Sequence, residues 1–423
     1  MTSPRQNLTK FSLRLVVALI CLIALSATAS VRADTVTDWN RIAVQEVGVS
    51  RPGPAGALDV AVVQLAVYDA VQAIVGEFQP YHVVIPGASG SPDSAAAKAA
   101  RDVLVNRFPG RTAAIEAIYQ QYLVDHSLDP NDPGVAVGAT AANGIIGLRA
   151  NDGSFPNPPP APFVGYMVVG VWRSTPPANA PMAVPWLGSV TPFALTSPSQ
   201  FRAKDPPALD SPEYTRAYDE VKSLGKSDST ARTPEQTDLA HFWNLGYLAV
   251  WNQVTRNLAE ANINKLGDTA RLFALVSMSM ADASITAWDS KNAFLYWRPI
   301  TAIREGENDG NPDTAGDPTW SPLVATPPYP DYTSGANNVT AAATRSLALF
   351  FGTNEMNFSV TTTNVGPTVQ DTRDFTRFSD AQQEVVDARI YEGIHFRFAD
   401  EEARKQGIKV AQWAHGHFLR PRD

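Results

Sequence analysis

Apolar residues recur at three- and four-residue spacing through most of this 423-residue chain, in alanine-rich stretches, and the alternation that marks strands is scarce. Such a pattern confines the chain to helices packed on helices, each burying one face against its neighbours. Helices are predicted over residues 39–49, 57–78, 94–107, 112–126, 135–149, 212–224, 233–258, 268–288, 334–351, 379–393 and 398–418. The second of these puts Leu58, Val62, Leu65, Tyr68, Asp69 and Gln72 on adjoining turns. Thr233-Pro-Glu-Gln236 has the residue order of a capping box, and Gly352 closes the helix ending at 351. At 44% hydrophobic and 18% charged residues, the chain can bury a sizeable core. The expected fold is all-α, a helical bundle without internal repeats.

Two regions depart from this pattern. Residues 151–212 hold 14 of the 33 prolines. That density suits either a disordered linker between two domains or an ordered, extended excursion laid over the bundle. Trp172, Trp186, Phe193 and Phe201 are spread through it, which favours the ordered excursion and one domain over 34–423. Residues 1–33 have the layout of an export signal. Arg5, Lys10 and Arg14 precede an apolar run from Leu15 to Leu25, and Ala27-Thr-Ala29 and Val31-Arg-Ala33 are small-x-small cleavage sites. Cleavage at the second leaves Asp34 first in an exported protein, periplasmic or extracellular. No later stretch reads as long and apolar enough to span a membrane.

The only cysteine, Cys21, falls inside that signal, so the mature chain can form no disulfide, iron–sulfur cluster or cysteine nucleophile. Without the signal's four basic residues, 30 basic residues face 42 acidic ones, a net charge of −12. So acidic a protein is a poor partner for nucleic acid, and any anion site in it needs strong local positive charge.

Three stretches in the last third supply such charge. Lys291 and Arg298, seven residues apart, fall nearly two turns apart on a helix, and Pro299 marks a break there. They form either a solvated basic face or, given Phe294, Leu295, Tyr296 and Trp297 between them, a buried pair that needs a counter-charge. Ser334-Gly335 follows Pro327, Pro328 and Pro330 and opens a helix. Ser334 suits an N-cap, and a helix N-terminus with a glycine also lets an anion approach backbone N–H groups. Arg389 and His395 are six apart, and Gly393 between them permits a break that turns His395 toward the same place. An arginine fork grips oxyanion oxygens, and a neutral histidine offers a nitrogen ligand or a nucleophile.

Taken in order, these stretches resemble the vanadium-dependent haloperoxidase and type-2 phosphatidic acid phosphatase superfamily, whose pattern is Lys-x6-Arg-Pro, then Pro-Ser-Gly-His, then Ser-Arg-x5-His. Lys291, Arg298 and Pro299 complete the first, and Arg389 and His395 keep the third with Ala388 in place of its serine. Leu65-Ala-Val-Tyr-Asp-Ala70, Trp172-Arg-Ser-Thr-Pro-Pro177 and Ala240-His-Phe-Trp-Asn244 resemble the exported bacterial branch related to the haloperoxidases. The resemblance implies an all-α bundle of that type. It implies that Lys291, Arg298, Ser334, Gly335 and Arg389 hold the oxygens of vanadate or phosphate. His395 becomes the axial vanadate ligand or the phosphate nucleophile, and Trp288 and Tyr329 line the pocket.

One position departs from the pattern. Ala336 stands where the superfamily keeps its acid–base histidine, a group whose assistance is worth roughly 10²–10⁴-fold. Asn337 and Asn338 cannot titrate. His241 reads as a substitute acid or as a packed histidine beside Trp243, and Asp331 as an acid or a loop cap. His415 and His417, two apart, face different sides of a helix. The first expectation is an exported vanadate-dependent peroxidase using peroxide with a halide or organic acceptor. The second is an acid phosphatase acting on phosphate esters through His395, and the third a non-catalytic phosphate or vanadate binder. All three imply small-molecule partners and no stable membrane span once the signal is removed, and leave homo-oligomerisation open.

Overall fold

The computed structural model describes residues 34–51, 53–362 and 371–422, and the export signal expected at 1–33 lies outside them. Asp34–Asp423 form one compact unit. Its helices are α1 (Thr35–Ser50), α2 (Gly56–Val75), α3 (Pro92–Arg107), α4 (Thr112–Asp125), α5 (Pro133–Arg149), α6 (Pro212–Leu224), α7 (Pro234–Trp243), α8 (Tyr247–Asn262), α9 (Leu266–Phe294), α10 (Pro299–Arg304), α11 (Gly335–Phe351), α12 (Phe378–Tyr391) and α13 (Arg397–His417). A hairpin of β1 (Glu355–Thr361) and β2 (Thr372–Arg377) pairs antiparallel between α11 and α12. It was not anticipated from the sequence. Its inward residues Phe358, Val360 and Phe375 are too few to show alternation clearly, and Phe358 stacks on both Phe375 and Phe378 at 5.2 Å.

The 29-residue α9 is the axle of the bundle. Nearly every residue from Thr269 to Lys291 is buried, and the helix packs against α2, α11 and α13. Helix α2 is almost wholly buried too. Contrary to the sequence reading, Gly56–Val75 is long and apolar enough to cross a membrane by length and composition; here that surface is spent on the core. The helix expected over 233–258 is two. Helix α7 leaves at Trp243 to pack on α12, the chain extends through Asn244 and Gly246, and α8 starts afresh against α1 and α11.

The proline-rich segment 151–212 is ordered and lies over the bundle. Trp172 is fully buried. The segment is pinned by Asp282 of α9, whose carboxylate accepts three consecutive backbone N–H groups, from Phe193, Ala194 and Leu195, at 2.7, 2.7 and 3.0 Å. Asp69 of α2 does the same for Tyr81, His82 and Val83 at 2.7, 3.0 and 2.8 Å. The excursion also reaches the links between the site residues. Trp172 N–H donates to Leu295 O at 2.6 Å, and Trp297 N–H to Gly170 O at 3.1 Å.

Candidate oxyanion site

Lys291 and Arg298 do not share a helix face, as their spacing had suggested. Helix α9 ends at Phe294, Leu295 takes a left-handed φ of 46°, and Arg298 becomes the N-cap of α10. The extended link Leu295–Trp297, clamped by the excursion, carries Arg298 back toward Lys291. Both side chains are fully buried, so both charges must find partners. They find them in the loop before α11. Lys291 Nζ donates to Pro330 O (2.6 Å) and Asp331 O (3.1 Å), and Arg298 Nε donates to Tyr329 O (2.7 Å). Arg298 Nη1 reaches the third stretch, donating to Ile394 O at 2.7 Å and lying 3.2 Å from His395 Nε2 and 3.4 Å from its Nδ1. The two cations therefore staple three separate segments around one point.

His395 arrives there as anticipated. Helix α12 ends at Tyr391 and Gly393 turns the chain at φ 80°. A side chain at 393 would also run into Gly225 O, so both conformation and space demand glycine. Ser334 occupies the N-cap position of α11 but makes no capping bond; Asn337 Nδ2 lies 3.4 Å from its hydroxyl. The space over Gly335 belongs to Trp288, whose indole would lie 3.1 Å from an added Cβ. Trp288 and Tyr329 pack at 5.0 Å and cover Lys291, whose Nζ is 5.6 and 5.0 Å from their ring centres. A cavity of about 440 Å³ reaches this cluster, and Trp288, Tyr329, Gly335, Ala336 and Arg389 line its inner end.

Three buried acids at the site were not recognised as a group from the sequence. Asp331 Oδ1 lies 2.6 Å from His395 Nδ1 and 3.7 Å from Arg298 Nη1. Glu392 Oε2 lies 2.6 Å from Arg389 Nη1. Asp400, at the start of α13, accepts from Asn337 Nδ2 at 2.8 Å. All three are fully buried. Residue type and spacing could have flagged them, since one precedes Ser334 by three and the others flank His395, but only the fold shows that they face cations. Burial pushes Asp331 and Glu392 up to about 7, against the pull of Arg298 and Lys291 on the first and Arg389 on the second. Burial also pushes Asp400 well above the usual carboxylate range. Burial, with Arg298, Lys291 and Arg389 nearby, pushes His395 well below its usual value, so its ring is neutral at pH 7. Lys291 is lowered by burial and by Arg298. Burial works against the charge of Arg389, but Glu392 more than offsets it and the guanidinium stays charged.

The other predicted residues lie elsewhere. His241 is half-buried near the end of α7 and lines no part of the cavity. His417 stacks on Trp413 at 3.8 Å. Among the described residues, no group of three or more His, Cys, Asp or Glu side chains could hold a metal ion. The unpaired polar groups at the site include donors. Arg298 Nη2 and Arg389 Nε are buried donors without hydrogen-bond partners, next to a neutral imidazole and a serine hydroxyl unused in capping.

Comparison with known proteins gives likenesses in both sequence and fold. Residues 271–423, which contain every residue of the cradle, match the family model of the VCPO second helical-bundle domain. Vanadium chloroperoxidase of Curvularia inaequalis is 33% identical over 186 residues, covering 36% of this chain and 30% of that protein's length. The crystal structure of a bacterial vanadium-dependent iodoperoxidase superposes with a TM-score of 0.78 at 25% identity, over 92% of this chain and 97% of that one. The holo form of a bacterial vanadium-dependent chloroperoxidase shares the fold, with a TM-score of 0.71 at 18% identity over 87% and 93% of the two chains.

Proposed function

We propose that this chain, a vanadium-haloperoxidase relative by fold and by the sequence of its last third, is an exported peroxidase that binds vanadate and acts on small molecules. One observation carries the reading: Lys291, Arg298, Arg389 and His395, drawn from two stretches about a hundred residues apart, converge in the interior around donors that lack partners. A buried guanidinium N–H without a partner is costly, and a tetrahedral oxyanion would offset that cost.

Vanadate, when bound, would supply a Lewis-acidic centre that activates peroxide toward a halide or organic acceptor. The chain's own residues do the rest. His395 would hold vanadate through a neutral ring nitrogen. Arg298 and Arg389 would offer unpartnered N–H groups to the oxyanion, while Lys291 holds the 330–331 carbonyls in place. Ser334 contributes its hydroxyl and Gly335 the free N-terminus of α11. Asp331 bears on His395 Nδ1: two lone pairs cannot meet at 2.6 Å, so a proton lies between them. That proton fixes the ring and leaves Nε2 as the reactive nitrogen. Asp400, whose carboxyl burial pushes well above the usual range, would donate rather than repel when protonated. Trp288, Tyr329 and Ala336 keep the cavity side apolar. Export rests on the layout of residues 1–33.

The same Asp331–His395 contact also favours a second reading, in which His395 attacks phosphorus in an acid phosphatase. Purified protein should oxidise bromide with hydrogen peroxide only after orthovanadate is added. Hydrolysis of p-nitrophenyl phosphate without any vanadate-dependent oxidation would select the phosphatase. Silence in both assays, with vanadate still bound, would leave a non-catalytic binder.

A further inference from the structure

The cavity of about 440 Å³ beside the cradle is larger than a halide or peroxide needs and falls within the range of pockets for organic ligands. Its apolar walls come from residues that take no part in holding the oxyanion: Val44 and Val47 of α1, Leu245 and Leu248 around the break between α7 and α8, and Val339 one turn into α11. That break, which the sequence pattern ran through as one helix, opens this wall. At the inner end the aromatic pair Trp288–Tyr329 screens Lys291, and neither Lys291, Arg298 nor His395 lines the cavity. Arg389 alone among the cradle's cations faces it, and Glu392 already offsets that charge. Ala336 lines the cavity with a methyl group, so the imidazole that would make the inner end polar is replaced by apolar surface.

We propose that this cavity binds a neutral, apolar organic molecule of one or two aromatic rings, holding the acceptor against the open side of the cradle rather than leaving it in solution. This rests on the oxyanion reading above for its purpose, but not for its binding. An apolar body gains from the aliphatic walls, at roughly 25 cal/mol per Å² buried, and the aromatic pair offers it edge and face contacts. A charged body would have to shed water into a cavity whose two cations, Arg51 and Arg389, already face Asp59 and Glu392.

The experiment is calorimetric titration of the full chain with 2-naphthol and with phenol, each with and without orthovanadate. The expected result is saturable one-to-one binding of 2-naphthol, about tenfold tighter than phenol because of the second ring's added apolar area. Leu248→Trp fills the cavity and should weaken 2-naphthol at least about tenfold. Ala249→Phe, at an exposed position on the rim, should weaken it without disturbing the fold. Vanadate affinity should stay within about twofold in both variants. Absence of saturable naphthol binding, or binding unchanged in both variants, overturns the inference even if vanadate binds. Failure to bind vanadate sinks the peroxidase reading, while the naphthol titration still judges the cavity. Tighter binding of 1-naphthyl phosphate than of 2-naphthol, displaced by inorganic phosphate, would assign the cavity to the apolar part of a phosphate ester and overturn the neutral acceptor.

Discussion

Buried carboxylates serve two regions of this molecule in opposite ways. Asp69 and Asp282, on the core helices, each accept three consecutive backbone N–H groups from an extended segment and have no unpaired oxygen. At the cradle, Asp331 and Glu392 each meet a single charged or imidazole partner at 2.6 Å, and one oxygen of Asp400, Arg298 Nη2 and Arg389 Nε have no hydrogen-bond partner. Saturated groups hold structure. Unsaturated ones of both signs, gathered at one point, are costly to bury and mark a place arranged for something that binds.

The most severe way to break this contrast is to remove the group that would bond the ligand. His395→Ala should weaken vanadate capture by well over about 100-fold, since even a residue supporting a ligand costs 10–100-fold when removed. Titration followed by gel filtration reads the retained vanadate, and near-native capture would refute the axial assignment. On the scaffold side, Asp282→Ala orphans three buried N–H groups and should cost about 3–5 kcal/mol of stability. The isosteric Asp400→Asn should change stability by less than about 1 kcal/mol, because a carboxyl already pushed toward neutrality loses little on becoming an amide. Urea denaturation of the two variants compares them directly; equal losses would erase the distinction between the regions.

A third change acts on the cavity side. Ala336→His puts an imidazole where the pattern expects one, at a half-buried position that lines open space. If the oxyanion site is otherwise complete, turnover in vanadate-dependent bromide oxidation should rise on the order of 100-fold, the usual worth of a placed acid–base group. A variant that binds vanadate as before but turns over no faster would mean that another group already supplies the proton.

Much of this organisation was legible in the sequence. Helical periodicity located the bundle, and aromatic residues among the prolines of 151–212 pointed to an ordered excursion. The order of Lys291, Arg298, Ser334, Gly335, Arg389 and His395 picked out residues from three stretches that the fold gathers in one region. What was not legible depends on long-range packing. Seven-residue spacing read Lys291 and Arg298 onto one helix, but periodicity cannot register the turn at Leu295 or the strap of Gly170–Trp172 that fixes it. Nor could the residues from Thr233 to Leu258 reveal a break at Asn244–Gly246, because neither half carries a proline there and both halves stay amphipathic. The acids were visible as letters. Asp331, Glu392 and Asp400 became site residues only once three distant segments closed around them.

The mildest effect is also the most specific to the site acids. Glu392, pushed up to about 7 by burial, is neutral below that pH and ionised above it. Ionised, it sets a full negative charge 2.6 Å from Arg389 Nη1 and competes with any oxyanion for that guanidinium. Oxyanion affinity should therefore be greatest below pH 7 and fall as Glu392 ionises. Phosphate and vanadate gain charge over the same range, so affinity alone does not isolate the glutamate, but its ratio to that of Glu392→Gln does. The glutamine is neutral at every pH, and the ligand's own ionisation cancels. The variant should match the native protein at pH 6 and bind phosphate about tenfold more tightly at pH 8, the effect of roughly 1.4 kcal/mol of opposing charge. A ratio constant from pH 6 to pH 8 would show that Glu392 does not change charge across this range. Arg389 and Glu392 would then be a fixed ion pair of the scaffold kind, and the cradle would rely on Lys291 and Arg298 for its charge.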